Sequence, residues 1–272
     1  MVRSMRYGKT LRRFIVELVL ILLTAQLCMA APTLAAASAF DRYIGNLERR
    51  LRAQHSSAES FVVASPATEQ RLRAGELVIE KLNPETAMTP GAMLHHWRGT
   101  AFVPGATVAD FERLMQDFTA YPQHYRPQVI GARVLTHSGD HYQTLLRVRQ
   151  HHVLTVVMDT TYEIDFGRLD AAHGFSVSRS TRVAEIEGAG TRNEHALGSD
   201  EEHGFLWRLN TYWSYREGDG GLYMQIESAS LTRNIPRGLG WMIGPFVESI
   251  PRESLEFTLR ATRDALLKEK AK

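Results

Sequence analysis

Six runs of alternating apolar and polar residues crowd the second half of this chain, at 129–136, 141–150, 153–166, 175–187, 204–217 and 222–233. Alternation with a period of two marks strands that bury one face. The breaks carry Ser138-Gly139-Asp140, a loop at 167–174, a loop at 188–190 and Gly218–Gly221, all rich in turn residues. Strands joined in this way pair antiparallel. An earlier run, "MLHHWRGTAFV", ends at Pro104-Gly105 and adds a seventh strand.

Two helices frame the strands. In "TVADFERLMQDF" Thr107 can cap the helix and Asp110 stands three residues on, while Val108, Phe111, Leu114, Met115 and Phe118 form an apolar stripe. "YPQHYRP" is too proline-bound to extend it and reads as a short further turn. "PRESLEFTLRATRDALLKEK" closes the chain as a long helix with Pro251 in its first turn and Leu255, Leu259 and Leu266 on one stripe. A sheet of this size cannot remain open on both faces, so the last helix must cover one. The fold class is α+β: about six to seven antiparallel strands, a long C-terminal helix and an N-terminal helical extension.

The hairpin "NTYWSYREGDGGLYMQIESASLTR" is the most explicit stretch. Asp219-Gly220 favours a type I′ turn, which fixes the register. One face then holds the pairs Leu209/Ser230, Thr211/Ser228, Trp213/Ile226 and Tyr215/Met224. This face is the apolar one and should point inward. Ser and Thr amid Trp, Tyr and Met suit the wall of a cavity that offers a few hydrogen bonds. A packed core with locally satisfied hydroxyls is the alternative.

The N-terminus describes an export signal. Arg3, Arg6, Lys9, Arg12 and Arg13 precede the apolar run 18–25, and "CMAAPTLAAASA" follows as a small-residue cleavage zone. An uncleaved anchor is the alternative, although Glu17 interrupts the run and a span needs about 20 residues. The divisions expected are a signal peptide at 1–36, a helical extension and linker at 37–91, and the sheet domain at 92–272. In the extension Phe40, Ile44, Leu47 and Leu51 stand at helical spacing and 56–66 reads as a linker. The expected location is the periplasm or cell envelope, with room for transient membrane contact. The leader carries +4, so the remainder of a chain with net charge +2 stands near −2. That removes the case for nucleic-acid binding. The sole cysteine, Cys28, lies in the leader, which excludes disulfides and thiol chemistry from the rest.

Signals for chemistry are weak. His95-His96 and His151-His152 are adjacent on strands and so point to opposite faces, and there is no HExxH or Cys/His cluster, so neither a metal nor a cofactor is expected. "RGLGWMIG" lacks the βαβ setting of a dinucleotide loop and reads as a hinge, with Trp241, Met242 and Ile243 as an apolar lid. Arg182, on the face opposite Arg179 and Glu185, could anchor a headgroup, with Asp159 as its counter-ion and Tyr162 beside it. Solvated ion pairs on the outer face, Glu227 included, are the plainer reading.

The stretches "TVADFERLMQDFTAYPQHYRP", "FSVSRSTRVAEIE", "YWSYREGDGGLYMQIESASLTRNIP" and "SIPRESLEFTLRATRDALL", spanning roughly residues 97–266, resemble the START-like (SRPBCC, helix-grip) superfamily, in its coenzyme Q-binding and polyketide cyclase-like branch. The resemblance implies a curved antiparallel sheet gripping the C-terminal helix with a hydrophobic tunnel between them. It implies no shared catalytic triad. The leader and the extension depart from the simplest family pattern. The expected partner is a lipid or other hydrophobic small molecule, walled by Trp207, Leu209, Thr211, Trp213, Tyr215, Met224, Ile226, Leu255 and Leu259. Two other readings stay open: a cyclase- or hydrolase-type enzyme using Asp159, Tyr162 or Arg182, and an envelope protein whose 40–55 helix docks on a partner.

Overall fold

Helix α1 (Leu34–Gln54) begins where the Thr33 hydroxyl accepts a hydrogen bond from the Ala36 N–H, and it buries Phe40, Ile44, Leu47 and Leu51 along one side. The computed structural model describes residues 31–82, 91–151, 155–234 and 240–270, with the side chains of 240–248 outside the description. After α1 come α2 (Pro66–Arg73), β1 (Val78–Lys81) and β2 (Ala92–Pro104). Helix α3 (Val108–Gln116) carries the expected capping box of Thr107 and Asp110. A 3-10 turn (Phe118–Ala120) and the short α4 (Tyr121–His124) lead to β3 (Val129–Ser138), β4 (His141–His151), β5 (Thr155–Asp170) and β6 (His173–Glu187). The chain ends with β7 (His195–Ala196), β8 (Arg208–Gly218), β9 (Gly221–Arg233) and α5 (Gly240–Lys270).

The strands form one antiparallel sheet in the order β1-β2-β9-β8-β6-β5-β4-β3, with the two-residue β7 beside β6. The two-residue β7 is the addition to the strands expected, whereas β1 falls in "EQRLRAGELVIEKL", whose sequence reads as a short helix and then a short strand. Two neighbouring residues of α5 show how strongly the sheet bends. A β-carbon at Gly99 of β2 would meet Leu255, while Gln150 of β4 donates to the Ser254 hydroxyl over 3.3 Å. Flat, β2 and β4 would lie five strand spacings apart, roughly 24 Å, whereas a helix with its side chains is about 10–12 Å across. The sheet therefore curls around α5, as the helix-grip resemblance implies.

Each face has its own cover. The inner face packs Trp213, Tyr215, Met224 and Ile226 against Leu255, Leu259 and Leu266 of α5 and Phe111, Leu114 and Phe118 from the α3 region. On the outer face, Phe40, Ile44, Leu47 and Leu51 of α1 meet Tyr212, Ala229 and Leu231. The apolar stripe of α1 is thus used by its own sheet, which removes the basis for docking that helix on a partner.

Two further expectations change. The 56–66 segment is not a free linker: Phe61 and Val62 are buried, and Phe61 stacks on the His55 ring at 4.7 Å. Gln54 donates to the Phe61 carbonyl at 2.8 Å and Gln225 to the Val63 carbonyl at 3.0 Å, which with this burial pin the segment. Helix α5 starts at Gly240, so the supposed hinge from 240 onward is helical and Pro251 lies inside the helix. Glycine and proline cost a helix about 1 and 3 kcal/mol, penalties that packing of a helix face can offset. The side chains of Trp241, Met242 and Ile243, expected to form a lid, lie outside the described residues, as do residues 1–30 of the leader, Cys28 among them. Among the described residues, no helix is long and apolar enough to cross a membrane.

Candidate functional site

The inner face can be followed strand by strand along cross-strand rows. One row runs Gly99, Ile226, Trp213, Ser176, and the next runs Ala101, Met224, Tyr215. Both are closed. All these residues are buried, with Phe111 at 5.2 Å from the Trp213 ring and 4.3 Å from the Tyr215 ring. Trp213, Tyr215, Met224, Ile226, Leu255 and Leu259 therefore belong to packed core.

The neighbouring row is different. Trp97, Ser228, Thr211 and Ser178 stand side by side on β2, β9, β8 and β6, and all four remain partly exposed. These strands are interior to the sheet, and α5 crosses this face. The helix backbone runs along β2 and approaches β9 only slightly, with no comparable approach to β8, β6 or β5 among the described residues. Partial exposure of these four neighbours marks a hollow on this face beside the helix. Beyond it the next row runs His95, Ser230, Leu209, Ser180, Tyr162, Thr144, in which Leu209 also keeps some exposure.

The hollow's wall carries polar atoms without partners. Trp97 Nε1 and Thr144 Oγ1 are shut away without a hydrogen bond, and Thr160 Oγ1 has no partner of good geometry, its nearest polar neighbour being the Tyr162 phenol. All three belong to the inner face: Trp97 opposes Ser228, Thr144 opposes Tyr162, and Thr160 lies two residues from Tyr162 on β5. A buried polar group left unmatched costs about 1–3 kcal/mol. Each such group in a native interior calls for an explanation, an absent ligand among them.

The ionisable groups near these rows are neutral or already matched. His95 Nε2 lies 3.2 Å from the Thr232 hydroxyl, and burial, helped by the nearby Lys81 charge, pushes its pKa down to about 4. Burial raises the Tyr162 phenol well above its ordinary value. The Glu185 carboxylate accepts from the His203 and Phe205 backbone N–H groups at 3.0 and 3.1 Å, with His203 Nδ1 at 2.8 Å. Tyr215 donates to Glu112 at 3.0 Å in the closed part of the face, where Arg168 clamps that carboxylate.

Three of the expected site residues fall elsewhere. Arg182 is exposed and shares the outer face with Arg179. Tyr162 pairs with Ser180 but Thr161 pairs with Arg182, so Thr181 is an extra residue, and this β-bulge turns Arg182 away from the interior. Asp159 is also on the outer face and forms a bidentate pair with Arg147 at 2.7 and 2.8 Å, so its counter-ion is not Arg182. Trp207 precedes β8 and packs in the α1 cluster. Of the remaining wall, Leu209 and Thr211 face the hollow, and Tyr162 borders it.

The outer face holds a buried polar chain that the sequence disguised as a solvated pair. Glu227 is only 2% exposed. Its carboxylate is bonded by Arg50 of α1 and by His96 Nε2 at 2.9 Å, and Tyr43 donates to His96 Nδ1 at 2.7 Å. These bonds, with the opposing charge of Arg50, hold the Glu227 carboxyl below its ordinary pKa despite burial. His95 and His96 thus serve opposite faces.

No protein-family model matches the chain, and no curated protein matches it. Several solved structures are similar to parts of the chain. The STAR-related lipid transfer protein from Xanthomonas axonopodis is similar at 16% identity and TM-score 0.42, over 69% of this chain and 98% of that one. The Zhui aromatase/cyclase from Streptomyces sp. R1128 is similar at 12% identity and TM-score 0.44, over 64% and 94%. A START superfamily protein from Mycobacterium smegmatis is similar at 16% identity and TM-score 0.40, over 65% and 98%. The strand order, the register and the curl around α5 carry the fold.

Proposed function

We propose that this protein binds and carries a lipid or other hydrophobic small molecule in the hollow between α5 and the inner row of Trp97, Ser228, Thr211 and Ser178. The single observation behind the reading is that row: four neighbouring side chains on interior strands retain exposure on the face that α5 crosses. Burying the ligand's apolar surface there at about 25 cal/mol per Å² supplies affinity. The basic head, apolar run and Ala-rich zone at the N-terminus support export, which would place the carrier in the periplasm or cell envelope.

An acid–base reaction in the same hollow would need two titratable groups within mutual reach. Asp159 and Arg182 face outward, and the open row offers hydroxyls and an indole N–H, so carriage is the better-supported reading. A titration tests it. An apolar fluorophore should brighten on binding and be displaced by a lipid extract, and Thr211→Trp, which fills the open row, should abolish both effects. Undiminished fluorophore binding by Thr211→Trp would contradict this placement.

A further inference from the structure

The chemistry lining the hollow restricts what it can hold, granted the carrier reading. Two observations bear on the ligand's identity. First, no charged side chain among the described residues stands in the open row. Of the described arginines on β2, β4 and β6, Arg98 pairs with Glu80 and approaches Glu227, Arg147 pairs with Asp159, Arg149 is exposed on the same outer face as Arg147, Arg179 pairs with Glu48, and Arg182 is turned out by the bulge. His95 is buried, and Glu185 is saturated by the 203–205 loop. An ionised headgroup buried against these hydroxyls would meet a desolvation cost of several kcal/mol with no opposite charge among the described residues to offset it. Lys81 stands across from Trp97 on the edge strand β1, but it is exposed and lies at the rim.

Second, the orphaned atoms ask for oxygen in two places. The Trp97 indole N–H only donates, so its partner must be an acceptor. Thr144 and Thr160 each donate and accept. They are diagonal neighbours on β4 and β5, with their β-carbons about 7 Å apart, near enough for one polar group to serve both. Along the curved wall this pair stands four to five strand spacings from Trp97, and the curl around α5 brings the direct span down toward the breadth of a helix, about 10–12 Å. One small head cannot satisfy both positions.

We infer that the buried body of the ligand is an uncharged, elongated lipophile with oxygen at two separated positions. A carbonyl or ether oxygen accepts from Trp97 Nε1, and a hydroxyl or carbonyl is held by Thr144 and Thr160. Apolar chain spans the stretch between them.

Four probes with one carbon skeleton test this: octadecane, methyl stearate, methyl 12-hydroxystearate and the 12-hydroxystearate anion, each competed against an apolar fluorophore. Methyl 12-hydroxystearate should bind three- to tenfold more tightly than methyl stearate, the worth of one neutral hydrogen bond, and at least tenfold more tightly than the anion. Trp97→Phe keeps the ring but loses the N–H, and should weaken both esters several-fold while leaving octadecane unchanged. Thr144→Val with Thr160→Val should erase the advantage of the 12-hydroxyl alone. Equal binding of all four probes would overturn the inference while leaving the carrier reading intact. So would tighter binding of the anion that Lys81→Ala abolishes. Binding of none would overturn the hollow itself and this inference with it.

Discussion

Gly99 of β2 and Leu255 of α5 touch so closely that a β-carbon added at 99 would lie 2.6 Å from Leu255 Cδ2 and 3.1 Å from both Leu259 Cδ2 and Ile79 Cδ1. The absence of a side chain at 99 is what lets the helix settle onto β2. Gly99→Val should cost about 1–3 kcal/mol, the usual range for overpacking, and should lift the helix at this point. Urea unfolding of the variant measures the cost, and a midpoint equal to the wild type would show that α5 does not sit here.

The hollow lies beside that contact, and much of what surrounds it was readable. The hairpin register follows from its turn: Asp219 and Gly220 have φ of 51° and 75°, as a type I′ turn requires, and Leu209 opposes Ser230 as expected. The capping box of α3 was equally local. Trp97, Ser178, Thr144 and Thr160 escaped notice because they reach the hollow only through non-local pairing, such as β2 with β9 across more than a hundred residues. Alternation would have placed Trp97 once that pairing was known. Arg182 was misplaced for a different reason: one extra residue at Thr181 reverses every facing beyond it, and a bulge leaves no periodic trace.

Two buried histidines should make stability fall on mild acidification. Burial depresses both His55 and His95 to about 4 from the ordinary 6.5. Between those values the unfolded chain binds more protons than the folded one. The contribution is therefore fully present above pH 6.5 and is lost as pH falls toward 4. At pH 5 each histidine should remove about 2 kcal/mol. Depressed carboxylates such as Glu227 act only below their unfolded pKa of about 4.5, so they leave this window to the histidines. Urea midpoints at pH 7.5 and pH 5 test the slope, which His55→Gln and His95→Gln should each flatten. A slope unchanged in both variants would refute the assignment.

Helix α1 should behave as part of the core. Phe40 is 4% exposed and Leu47 is 5% exposed, both against the outer face of the sheet. Phe40→Ala should cost about 3–5 kcal/mol and Leu47→Ala about 2–5 kcal/mol. Calorimetry should show one cooperative transition that moves as a unit. A separate early transition for the helix, with the sheet unaffected, would mean that α1 is an independent appendage.

The buried Glu227 should punish loss of its partner. His96→Phe removes the ring nitrogen 2.9 Å from the carboxylate and leaves a charge that is 2% exposed with Arg50 as its main support. The expected cost is about 3–5 kcal/mol. Adding Glu227→Gln to His96→Phe should recover part of that loss, because the uncompensated charge is gone. Equal stability of the single and double variants would show that the charge is not what matters there.

The most direct test of the carrier reading is native mass spectrometry of the protein taken from its own host without denaturation. The expected spectrum contains a bound mass that organic extraction removes and that Thr211→Trp, which fills the row shared with Ser178 and Ser228, does not retain. A bare protein mass in every preparation, or a bound mass that persists in Thr211→Trp, would contradict the account.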